Sequence, residues 1–104
     1  MQAEIATFTM DDKVYALTEA ITIDIEERIN SYGNKVVATN NDYAIMGVGE
    51  TAMEATERAA MQLAMLHHIY INTPDNEMSN HAVLLKHKLR ALITITSKTA
   101  SIEV

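Results

Sequence analysis

The 104-residue sequence contains no cysteine, so disulfides, thiolate nucleophiles and Cys-ligated zinc are excluded. It has few bases: eight Lys and Arg against fourteen Asp and Glu, for a net charge of −6. Non-specific nucleic-acid binding wants a basic domain with a basic stripe, so the sign argues against a nucleic-acid partner. No long hydrophobic run is present. The most apolar stretch, AAMQLAMLHHIYI over 59–71, is interrupted by Gln62, His67 and His68 and is too short to span a bilayer. The first residues, MQAEIATFTMDDK, carry early acid and lack the basic and apolar regions of a signal peptide. The expectation is a cytoplasmic protein with no membrane partner. Nucleophile and phosphate motifs are missing too: there is no G-x-S-x-G, S-x-x-K or P-loop.

What remains is the composition of an ordinary globule, 48% hydrophobic and 21% charged, of a length that suits a single domain over 1–104. The charge is unevenly distributed. Residues 1–57 hold 11 acids and 3 bases, whereas residues 58–104 hold 3 acids and 5 bases. Such polarity suits complementarity within the fold or between subunits, or an acidic face for a basic partner.

Periodicity predicts a mostly helical α+β fold in the order helix, β-hairpin, helix, helix. Thr9 caps a first helix from Met10, with Asp11 and Asp12 in its first turn. Val14, Leu17, Ile21, Ile25, Ile29 and Tyr32 then share one face, and Gly33-Asn34 end it. The segment ITIDI at 21–25 also alternates as a strand would and is rich in β-branched residues. KVVATNNDYAIMG reads as a hairpin turning at Asn40-Asn41, with Val36 facing Ile45 and Ala38 facing Tyr43. Thr51 and Glu54 have the form of a capping box that opens a second helix over Ala52–Tyr70, with Glu54 and Arg58 set to pair. Its many alanines permit close packing. Thr73 and Pro74 open a third helix, whose seam runs through Met78, Ala82, Leu85, Leu89, Leu92 and Thr96. Residues 98–104 read as a loose tail or a short added strand.

Four patterns are candidate sites. His67 and His68 are adjacent and diverge by about 100° on a helix, and His81 and His87 also point apart. The spacing therefore predicts no metal site and no cofactor. Gly47-x-Gly49-x-x-Ala52 matches a loose dinucleotide fingerprint, but it follows half of a hairpin, and a simple strand-to-helix turn explains it better. Lys86, His87 and Arg90 fall on one side of the third helix as a possible anion-binding set. Asp12, Glu19 and Glu26, with Glu27 beside them, read as a solvated face rather than an acid/base pair.

Seven methionines are many for this length, and Met61 and Met65, with His68, mark a side of the second helix that the rest of the chain is too short to cover. The expectation is a homo-oligomer, a dimer or larger, with Met61, Met65 and His68 in the contact. It acts without catalysis, as a small inhibitor, immunity-type or regulatory protein that occludes a protein partner. The alternatives are an oligomer that sequesters a small anionic ligand such as a nucleotide through Lys86, His87 and Arg90, and a small enzyme with a composite interface site.

Overall fold

The computed structural model describes residues 1–30 and 33–97. Five strands and two α-helices follow in the order β1 (Gln2–Met10), β2 (Lys13–Asn30), β3 (Gly33–Asn40), β4 (Ile45–Gly49), α1 (Ala52–Ile71), α2 (Asn80–Leu92) and β5 (Ile93–Ser97). The strands form one sheet in the order β1-β2-β3-β4, and β5 also pairs with β2. The chain divides into two compact units, one of Met1–Ile5 with Ile21–Leu63, the other of Ala6–Ala20 with Ala64–Val104.

The mostly helical expectation is overturned at its first element. Residues 13–30 are a strand, not a helix, and the segment before them is its antiparallel partner β1. Asp11 and Asp12 do not begin a helix. Both have positive φ, 52° and 63°, as the two central residues of a type I′ hairpin turn require. Aspartate tolerates that conformation better than most residues, and it also suits the first turn of a helix, so it fits either reading. Gly33, expected as a helix cap, instead opens β3 with φ 112°. Tyr32 and the tail 98–104 lie outside the described residues.

In the first unit β2 pairs antiparallel with β3, and β3 with β4. Ile21, Ile23 and Ile25 are buried and alternate with exposed Thr22, Asp24 and Glu26, the period of two of a sheet covered on one face. The hairpin from β3 to β4 exists but turns more widely than expected. Asn40 opposes Ile45, Ala38 opposes Gly47 and Val36 opposes Gly49. The register moves by an even number of residues, so Val36, Ala38 and Ile45 keep one common face. Asn40 organises the turn. Its side chain donates to Thr22 O at 2.9 Å and accepts from Tyr43 N at 3.0 Å, which satisfies a buried amide at both ends.

Helix α1 lies on that face at unusually short range. In register across the sheet stand Ile25, Ala38 and Gly47, a series of falling size. A β-carbon added at Gly47 would collide with the α1 backbone at Ala55 O and Ala59 N, and one at Gly49 would press on Ala55 N and the Glu54 side chain. Ala55 and Ala59 are fully buried, with Leu63 one turn further. Thr51 Oγ1 caps the helix by accepting from Glu54 N at 3.1 Å, and Glu54 pairs with Arg58 at 3.0 Å, both as the sequence suggests.

In the second unit Phe8 stacks on Tyr15 with ring centroids 4.8 Å apart. Strand β5 pairs with β2 from Lys13↔Ser97 to Leu17↔Ile93. Thr73 does not start the next helix. Its hydroxyl donates to Ile69 O at 2.7 Å and closes the end of α1. A short 3-10 turn, Asp75–Glu77, follows, and Ser79 caps α2 by accepting from Ala82 N at 3.1 Å. Leu89 and Leu92 are buried, in line with the expected seam. The helix stops at Leu92 because Ile-Thr-Ile-Thr follows, a β-branched run that the sheet takes up.

The close approach makes Gly47 the most sensitive position of the first unit. Gly47→Ala should lower the unfolding free energy by about 3 kcal/mol, since two backbones must separate to admit one methyl. Val48→Ala next to it should cost less than about 0.5 kcal/mol at its exposed position. Urea unfolding of both variants checks the contrast.

Candidate functional site

The cationic set proposed from the third helix does not share one exposed side. His87 and Arg90 are exposed, but Lys86 is only 6% exposed and faces inward. Its ammonium donates to Thr73 O at 2.8 Å and to Asp75 Oδ1 at 2.8 Å. The stem is buried while the head ties down the segment between α1 and α2. That segment carries a proline and a single 3-10 turn, so a side-chain donor takes the place of a ladder.

The Asp75 carboxyl lies below the ordinary carboxylate range. The hydrogen bond from Lys86 is the main cause, opposed by desolvation and aided by the charges of Lys86, His87 and Arg90. A depressed acid adds stability that is complete above the ordinary carboxylate pKa and is lost as the pH falls through the lowered native value.

The four histidines do not gather. Among the described residues no group of three or more His, Asp or Glu is placed to hold a metal ion. His67 is half-buried near the end of α1, and burial, then His68, then Arg90 depress its pKa. Its folded form therefore resists protonation, and acid from about its ordinary value of 6.5 downward favours the unfolded chain. His68 is exposed, and its carbonyl accepts from Asn72 Nδ2 at 2.7 Å as a helix-end cap. The adjacent pair is thus one inner and one outer helix-end residue.

The glycine fingerprint has a packing role, as the contact of Gly47 and Gly49 with α1 shows. The acidic residues once grouped on a helix are dispersed, Asp12 in the hairpin turn and Glu19, Glu26 and Glu27 exposed along β2.

Met53, Met61 and Met65 of α1 are exposed. In the first unit Met53 is 73% and Met61 49% exposed. There Met1, Ala3, Ile25 and Met53 line a shallow apolar depression of about 360 Å³. In the second unit Met65 is 57% and Ile69 51% exposed, with His68 between them. With Met10, Asp11, Lys13 and Tyr15 they line a groove of about 330 Å³. The groove escaped the sequence reading because Met10, Lys13 and Tyr15 were assigned to a helix; the alternation around Asp11-Asp12 carries the signal. No helix of the described residues is long and apolar enough to cross a membrane. No protein-family model matches the sequence, and no curated protein and no solved structure matches it either.

Lys86→Met should lower the melting temperature by about 5–10 °C, because the Thr73 carbonyl loses its donor. Asp75→Asn should flatten the fall of melting temperature between pH 5 and pH 3. A series of thermal melts across that range measures both, and an unchanged acid limb in Asp75→Asn would count against the ion pair.

Proposed function

We propose that this chain is a non-catalytic interaction module that self-associates and occludes a protein partner, with the cytoplasm as its place of action. The reading rests on one observation: α1 buries Ala55, Ala59, Ala60, Leu63 and Ala64 and turns Met53, Met61, Met65 and Ile69 outward. Met65 and Ile69 are each more than half exposed in the second unit, where they line the groove with Met10 and Tyr15. Soluble monomers generally avoid contiguous exposed apolar patches, and such surfaces rimmed by polar groups mark contacts with other proteins. Methionine suits the role because its flexible thioether adapts to a partner's shape. Asp11, Lys13 and His68 are the polar residues that line the groove, and the net charge of −6 favours a basic partner. The alternative of anion sequestration is weakened by Lys86, whose ammonium is already engaged by Thr73 and Asp75.

The exposure of Met65 makes the test clean. A glutamate there meets water in an isolated chain and leaves the fold intact, but it becomes a buried carboxylate in a subunit contact. The wild-type chain of 11.5 kDa should run at twice that mass or more at micromolar concentration, and Met65→Glu should reduce it to the monomer with its circular dichroism unchanged. Light scattering that returns the monomer mass for the wild type ends the self-association half of this reading.

A further inference from the structure

Among the described residues strand β4 is the last strand on its side of the sheet, and its sequence Ile-Met-Gly-Val-Gly has neither charge nor proline. Nothing within the strand blunts its edge against pairing with another chain. Side chains of α1 do so instead. Gln62 Oε1 accepts the N–H of Met46, and Arg58 Nη1 donates to Val48 O at 2.6 Å. The two bonds lie on groups that a further strand would use. The spacing matches: residues 58 and 62 are one helical turn apart, about 6 Å of rise, and residues 46 and 48 are about 6.8 Å apart along a strand. Glu54 steadies the Arg58 guanidinium from the preceding turn at 3.0 Å. Arg58 and Gln62 are both exposed, so water can replace either bond when the side chain swings away.

We propose that Arg58 and Gln62 gate the β4 edge, and that the occupant they exclude is the β4 edge of a second copy of this chain. A strand run antiparallel to itself is self-complementary and gives a closed two-fold contact. Centred on Gly47, the pairing sets Met46 of each copy opposite Val48 of the other. These side chains are 51% and 37% exposed on the outer face, and they would form two apolar cross-strand pairs. No charge opposes the pairing within the five residues. This surface is distinct from the Met65 and Ile69 groove, so it stands whether or not that groove is a contact.

The test is the mass of the full-length Arg58→Ala/Gln62→Ala variant by light scattering, beside the wild type. Opening the edge should at least double the mass relative to wild type. Adding Met46→Lys and Val48→Lys, both at exposed positions, should return it to the wild-type value by setting lysines against one another. Should the double variant lose its circular dichroism, Gln62→Lys alone, which removes the acceptor and keeps a long soluble side chain, is read in the same way. A variant that melts lower at an unchanged mass would overturn the proposal and leave Arg58 and Gln62 as fasteners of α1. A larger mass that the lysines fail to reverse would overturn it as well. Met65→Glu in the wild-type background leaves the gate closed, so failure of one surface is distinguishable from failure of the other.

Discussion

The backbone of α1 rests on the backbone of β4, and much of the first unit follows from that contact. Only glycine admits it at position 47, and only residues as small as Ala55 and Ala59 allow the helix to lie so near. A helix at that distance fills the face above Ile25 and Ala38 with little side-chain volume. Apart from Leu63, its larger residues there stay outside, and Met53 and Met61 are exposed while Ala55, Ala59 and Ala60 are buried. The same proximity lets Arg58 and Gln62 reach the strand edge from the flank of the helix. A core of small residues forgoes part of the burial that Leu or Ile would supply, on the order of 25 cal/mol per Å². Dispersion at backbone contact offsets some of that loss.

The polar interior is handled by a few side chains that each hold an irregular segment. Asn40 spans from the carbonyl of Thr22 to the amide of Tyr43 and so fixes the turn between β3 and β4. Lys86 does the same for the connection between α1 and α2, with a charge as the donor. Asn72 and Thr73 close the carbonyl end of α1. Among the described residues no buried side-chain polar atom lacks a partner. These contacts lie within a unit in every case, so each unit carries its own turn chemistry.

Helix α1 was legible to within a residue at its end because its cap, alanines and apolar run agree with one another. The hairpin of β3 and β4 was legible as an element, and its faces survived, but Asn40 works as a buried bracket rather than as a turn residue. The first helix was misread because Leu17, Ile21 and Ile25, four residues apart, satisfy both periods. Ile23 breaks the tie. It lies off the helical stripe and yet is fully buried, as the strand pattern of Tyr15, Ile21, Ile23 and Ile25 requires. Lys86 was placed in solvent by its charge and its side of the third helix, and the position of Thr73 and Asp75 explains its burial. The role of Gly47 and Gly49 was half visible. Two glycines on one strand face, followed by alanines four apart on a helix, signal close packing more directly than they signal a phosphate.

The central claim is the backbone approach itself, and proton NMR reads it directly. The account predicts strong nuclear Overhauser contacts from the Gly47 α-protons to protons of Ala55 and Ala59, alongside the cross-strand contact of Gly47 with Ala38. A Gly47 that shows the Ala38 contact but none to Ala55 or Ala59 would place the helix away from the strand and contradict the account.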